Sequence, residues 1–317
     1  MKKTILTMVL SMLTVCVMAE DEMFKFGGFD TWITRNIRES VLVGGKHRTL
    51  YEVGPTGTFD GQRAFINQGG CPWANSNVYA KVAGVVKTNV SVYPDEHPGH
   101  GKCAKLVTQI VKCKAIGIIN ISVLAAGSMF TGTTVEPITS TSNPMSKMSI
   151  GIPFNRRPKA LKLDYKYHNP GDTNRVRETG FSKKKVIPGK DMGECTLLLQ
   201  KRWEDEDGNL HALRIGTMRH RFSENTDGWV ENKSFPIHYG NITHESFYHS
   251  WMGLITGERA FYAKNSKGKL VPVEEEGWAD ADETPTHIIV KFDSSHGGAY
   301  IGTVGNTLWV DNVRLVY

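Results

Sequence analysis

Between positions 160 and 167, Leu161, Leu163, Tyr165 and Tyr167 take every second place, with Lys162, Asp164 and Lys166 between them. Successive side chains of a strand point to opposite faces, so this octet reads as an antiparallel strand with one dry and one wet face. Short runs rich in β-branched and aromatic residues recur between turn signals at 104–111, 115–124, 195–203, 210–217, 235–239, 287–293 and 307–317. Asp207-Gly208-Asn209 separates two of them and reads as a hairpin turn. No long segment keeps helical periodicity, and 244–254 is the one place where a short helix is expected. Residues 169–191, with Pro, Gly and the run Lys183-Lys184-Lys185, read as a long surface loop. The pattern predicts an all-β, antiparallel sandwich or jelly roll with long loop insertions. No internal repeat or linker divides it, so 29–317 is read as one domain, preceded by a short segment, 20–28.

The N-terminus changes the picture by naming a compartment. Lys2 and Lys3 precede an uncharged, mostly apolar run, 4–17, and Val17-Met18-Ala19 then leads into Glu20-Asp21-Glu22. This is the order of a secretory signal peptide, with cleavage expected after Ala19 and a periplasmic, cell-surface or extracellular destination. The apolar run, about 14 residues, is shorter than the roughly 20 that span a bilayer. Leu13-Thr14-Val15-Cys16 resembles a lipobox, but Val15 stands where Gly, Ala or Ser precedes a lipidated cysteine. Lipid anchoring at Cys16 is therefore the less favoured alternative.

Charge and cysteines then exclude function classes. The formal net charge is +6, and loss of Lys2 and Lys3 would leave a mildly basic chain rather than the dense cationic surface of a nucleic-acid binder. No later stretch is apolar and long enough to cross a membrane as a helix. Cys71, Cys103, Cys113 and Cys195 contain no C-x-x-C pair and so no zinc spacing. A Cys103–Cys113 bridge and buried free thiols both remain open.

Four passages carry a family resemblance. Gly28-Phe29-Asp30-Thr31-Trp32, the glycine-rich Leu124–Gly132 passage, Gly151-Ile152-Pro153-Phe154-Asn155-Arg156-Arg157-Pro158 running on to Tyr167, and the last twenty-one residues from Gly297 to Tyr317 occur in this order. Together they resemble the bacterial putative carbohydrate metabolism domain family over about 29–317. The resemblance implies a galactose-binding-like jelly roll, an envelope or extracellular setting, and poly- or oligosaccharides as partners, with other envelope glycan-handling proteins as further candidates. It also implies that the immunoglobulin-like domain leading some members is missing here.

Sugars present apolar C–H faces and outward hydroxyls, so the candidate ligand-binding residues are aromatic rings in loops and planar polar groups. Trp73, Trp229, Trp251 and Tyr248 are the rings, and Arg156 and Arg157 are candidate partners for uronic carboxylates. Each has a structural counterpart: packing for the rings and a salt bridge anchoring the next strand for the arginines. Trp32 and Trp309, in terminal strands, are assigned to the core. Carbohydrate modules of this shape hold a structural Ca²⁺ between their first and last strands, which points to Asp30 and Asp311. His97 and His100, in Asp95-Glu96-His97-Pro98-Gly99-His100-Gly101, are a polar loop with the residue types of a transition-metal site.

Catalysis lacks a local signature. A glycosidase needs two carboxylates set across a glycosidic bond, and among Glu204, Asp205, Glu206, Asp207, Asp227 and Glu231 no spacing selects a pair. Neither G-x-S-x-G nor H-E-x-x-H occurs. Glycan binding is the expected function. A hydrolase or lyase with a carboxylate pair, and a structural or adhesin-like envelope protein, are the alternatives.

Overall fold

The computed structural model describes residues 20–317 apart from 83, 116–118, 140–142 and 181. The expected signal segment, with Cys16, lies outside the described residues. Two sheets stack around the main core. One has the order Val230–Pro236, Ala160–His168, Thr307–Val316, Gly101–Val107, Val92–His97. Asp21–Met23 extends it by pairing with the far end of Thr307–Val316, beyond the reach of Gly101–Val107. The other runs Met148–Ile150, Ser128–Thr134, His287–Asp293, Gly193–Glu204, Leu210–Phe222, Leu270–Trp278, Phe261–Lys264, with three shorter strands attached. Within these two sheets the pairings are antiparallel except that Leu210–Phe222 and Leu270–Trp278 run parallel.

Period two explains which residues meet. Leu161, Leu163 and Tyr167 join Leu308, Val310, Val313, Leu315, Ala104 and Leu106 from the first sheet. Facing them are Cys195, Leu197, Leu199, Ile288, Val290 and Phe292 from the second. Tyr165 packs against the same cluster, so the alternation read from the sequence holds along the whole strand. The strand Gly193–Glu204 is dry on both sides over 193–200, where Leu198, with Ile289 beside it, turns away from the sandwich onto Phe130, Ile150 and Ile255. A strand buried on both faces reads as a continuous apolar run, as Leu197-Leu198-Leu199 does.

Several boundaries moved. The 104–111 run is divided between Gly101–Val107 and Gln109–Ala115. The 169–191 loop contains Asn174–Arg177 and Lys185–Pro188, which pair with each other, and Asn174–Arg177 pairs also with Ile301–Gly302. The expected helix at 244–254 is reduced to one 3₁₀ turn, Ser250–Met252. The hairpin around Asp207-Gly208-Asn209 is present, with Glu204 opposite Leu210. Cys71, Cys103, Cys113 and Cys195 are free thiols. Among the described residues no helix is long and apolar enough to cross a membrane.

Candidate functional site

The first sheet turns one face to the core and the other outward, and the outward face gathers the chemistry. Register places Tyr93 beside Lys105, Lys105 beside Trp309, and Trp309 beside Lys166. This is a row of alternating rings and cations across four strands. Trp229 joins at the end of the row, since Val230 pairs with Tyr165, next to Lys166. The Lys166 ammonium lies 4.2 Å from the Trp309 ring centre and 5.7 Å from that of Trp229. Among the described residues no carboxylate forms an ion pair with it.

Trp309 is held in place from its edge. Its indole N–H donates to Asp95 Oδ2 at 2.8 Å, and Lys105 Nζ reaches the same oxygen at 3.2 Å. Burial works to raise the Asp95 carboxyl, but the indole, the Glu96 N–H and Lys105 outweigh it and hold the group below its usual range. A cavity of about 240 Å³ opens elsewhere, beside Cys71 and Gly132. The larger one, about 540 Å³, lies along this row, lined by Tyr93, Pro94, Asp95, Lys105, Gln109 and Thr307.

Beneath the neighbouring row the sheet is irregular, and the irregularity builds a buried polar centre. Asp164 pairs with Asp311, and the register shifts at Asp164 against both neighbouring strands. Asn232 and Asn312, one on each neighbour, adopt left-handed backbone with φ of 54° and 52°. Asparagine tolerates that region better than most residues, and bulges of this kind re-aim side chains. Asp164 accepts the Asn232 N–H at 2.5 Å and the Asn312 side-chain amide at 2.7 Å. It is thereby buried although it lies on the polar side of its strand.

Asp311 accepts a hydrogen bond from His97 Nδ1 at 2.7 Å, and both side chains are buried. Burial pushes the Asp311 carboxyl up, to about 6, against the opposing pull of His97 and the Asn312 N–H. The His97 ring is stacked on Trp229 at 3.7 Å between ring centres and on His100 at 4.3 Å. Two predicted site residues, Trp229 and Asp311, are thus brought together through His97, the last residue of Val92–His97 rather than the loop residue its sequence suggests.

The other candidates are dispersed. Trp73 is corrected to a core residue: it is 1% exposed, wedged edge-on between Phe24 and Phe29, with its N–H on the Lys25 carbonyl. No face of that ring is open to a sugar. Trp309 moves the opposite way, because Leu308 and Val310 point inward and leave it outward and half-buried. Trp251 lies on the second sheet, under Arg221 and Arg219, whose guanidiniums are 4.4 and 5.6 Å from its ring centre. Tyr248 is near it, with its hydroxyl against Gly253. Arg156 pairs with Glu22 at 2.5 Å over the Tyr317 ring, and Arg157 donates to the Ala281 and Glu283 carbonyls over Tyr239. Arg156 makes an ion pair, whereas Arg157 is held by backbone carbonyls in place of the expected salt bridge.

Asp30 and Asp311 have separate partners: Asp30 accepts the Lys102 N–H on the exposed rim, whereas Asp311 is committed to His97 and the Asn312 N–H. Glu204 and Asp205 serve the hairpin, binding Ser266 and Asn209 respectively. Sequence reasoning missed Trp309, Lys105, Lys166 and Asp164. Strict alternation from Leu308 to Val310 was the available signal for Trp309, and no local signal marked Asp164 as buried.

Comparison with known proteins gives a family and likenesses to solved structures. The model of a family described as "putative carbohydrate metabolism domain" matches residues 47–239, well over half of the chain. A crystal structure described as a putative glycoside hydrolase from Bacteroides thetaiotaomicron is 20% identical, with a TM-score of 0.45. The likeness covers 86% of this chain and 81% of that one, and at this TM-score it carries no functional weight. No curated protein matches.

Proposed function

The chain belongs to the putative carbohydrate metabolism domain family, and from that premise we propose an exported protein that binds a polysaccharide or oligosaccharide on the outward face of its first sheet. One observation carries the reading: two half-buried indoles, Trp309 and Trp229, flank the ammonium of Lys166 on that face. Pyranose C–H faces stack on indoles, and an unpaired cation between them favours an acidic substituent such as a uronic carboxylate or a sulfate. Asp95 fixes the Trp309 ring beforehand, which lowers the entropic cost of ordering it on binding. Export rests on the Lys2-Lys3 start, the apolar run and Ala19.

A hydrolytic reading has one observation of its own. Asp164 and Asp311 present carboxylate oxygens within 4.8 Å of one another, and burial raises Asp311. Both are almost wholly enclosed, with their oxygens engaged by Asn232, Asn312 and His97, so a glycosidic bond has no approach to them. Binding is therefore the preferred function.

A glycan array followed by calorimetry tests it. Acidic polysaccharides should bind, and Trp309→Ala should weaken binding by at least about tenfold, the scale of losing one buried aromatic contact. Lys166→Gln should weaken acidic ligands and leave neutral ones unchanged. Absence of binding to any glycan, or equal affinity in both variants, would overturn the reading. Release of reducing ends from a bound polysaccharide, lost in Asp311→Asn, would replace it with hydrolysis.

A further inference from the structure

Every polar contact around His97 is accounted for except one. Nδ1 donates to Asp311, while Nε2 is enclosed and has no hydrogen-bond partner. The ring is 1% exposed, so no bulk water compensates. An unpaired buried nitrogen costs about 1–3 kcal/mol unless something occupies its lone pair. A ring nitrogen of His97, one of His100 and a carboxylate oxygen of Glu231 all lie within 4.8 Å of one another. With Nδ1 committed to Asp311, Nε2 is the nitrogen His97 has left to offer.

We propose that His97, His100 and Glu231 form a binding site for a borderline divalent cation of the Zn²⁺ type, seated beside Trp229 and independent of the saccharide reading. Two imidazoles and one carboxylate suit such a cation, which takes three protein ligands and keeps a fourth position for water. Ca²⁺ and Mg²⁺ prefer all-oxygen sets and are not expected here.

The support behind His97 has the form that metal-binding histidines use. A ligating imidazole donates its other N–H to a carboxylate, which fixes the tautomer and raises the basicity of the metal-binding nitrogen. Asp311 supplies that carboxylate from Thr307–Val316, two strands away in the same sheet. Trp229 presses on the ring face at 3.7 Å and fixes the plane. The remaining two ligands are adjustable. His100 and Glu231 have side chains 41% and 51% exposed and stand 3.7 Å apart. His100 sits between Gly99 and Gly101, both at positive φ, in the turn joining two strands of the sheet. Its ring is stacked flat on His97 with 20° between the planes. Rotation of this exposed side chain aims its lone pair at the space over His97 Nε2.

A second grouping, His97 with Asp164 and Asp311, is also compact, but hydrogen bonds already satisfy it. The unpaired nitrogen belongs to the outer group, and so does the site.

The experiment is Zn²⁺ titration of the metal-free protein by calorimetry, with Co²⁺ absorption as an independent readout of ligand geometry. The wild type should bind one Zn²⁺ with a Kd in the micromolar range or tighter, and Co²⁺ should give the intense visible bands of a four-coordinate site. His100→Ala and Glu231→Gln, both at exposed positions, should weaken Zn²⁺ at least about tenfold and remove the Co²⁺ bands. Asp311→Asn should weaken it by about 10–100-fold with the stoichiometry kept at one, as expected for loss of an orienting partner. The Lys162→Ala control, half-buried and paired with Asp21, should bind as the wild type does. No wild-type binding at micromolar Zn²⁺, or unchanged affinity in both His100→Ala and Glu231→Gln, would overturn the proposal, even if Asp311→Asn fails to fold.

Discussion

Asp164→Ala tests whether the double bulge is held by its central carboxylate. The substitution leaves two donors without their acceptor: the Asn232 backbone N–H at 2.5 Å and the Asn312 amide at 2.7 Å. Hydrogen bonds to a charged acceptor contribute about 1.5–3 kcal/mol each, giving about 3–6 kcal/mol for the pair. Removing a buried charge offsets part of this, because the carboxylate no longer has to be desolvated. A net loss of about 3 kcal/mol is expected, equivalent to about 6–12 °C in Tm for a domain near this size. Both asparagines hold left-handed backbone at this point, so the loss should be accompanied by faster hydrogen exchange at Asn232. Denaturant unfolding measures the free energy, and Asp164→Asn, which keeps one acceptor, should fall between wild type and Ala. Lys162→Ala, on the same strand face and paired with Asp21 at 2.8 Å, is the control and should cost less than about 1 kcal/mol. A loss below about 1 kcal/mol for Asp164→Ala would refute the assignment of the bulge to this side chain.

Three further outcomes are expected. Glu52 and Glu136 share the buried Arg35, at 2.7 and 2.5 Å; burial first, with Glu136 adding to it, raises Glu52 to about 8 despite the pull of Arg35. The folded chain then keeps a proton that the unfolded chain releases near 4.5, so stability falls as pH rises from about 4.5 to about 8. Glu52→Gln should flatten that slope in denaturant melts taken across the window, and an unchanged slope would remove Glu52 as its source. Gly127→Ala should destabilise by about 1–3 kcal/mol or more, because its Cβ would stand 2.5 Å from both the Ser91 carbonyl and the Val107 amide nitrogen. Wild-type stability in that variant would contradict the close backbone approach. Burial pushes the Cys71 and Cys103 thiols up to about 12 and Cys195 well above its ordinary value, while Cys113 is half-buried. A chain starting at Glu20 should therefore show at most one reactive thiol when folded and four when denatured; an intact-mass deficit of two protons would reveal a disulfide instead.

The amino-acid order alone determined the class of fold and much of its strand inventory, since period-two patterning is a local property. The octet at 160–167 shows this best: Leu161, Leu163, Tyr165 and Tyr167 all face the core, and Lys162, Asp164 and Lys166 all face away. His287–Asp293 appears with the same bounds that its sequence predicts. The carbohydrate family was legible too, because short passages spread along the chain keep their order. Which rings face solvent was not. Trp73 sits among glycines and asparagines like a loop residue, yet Phe24 and Phe29, more than forty positions away, close over it. Asp164 occupies a wet position by alternation and becomes dry only because Asn232 and Asn312 bulge around it from two other strands. The same holds for His97 and Asp311, 214 positions apart and joined by one hydrogen bond. Exposure and proximity across such separations are set by pairing register, and only the assembled sheets decide it.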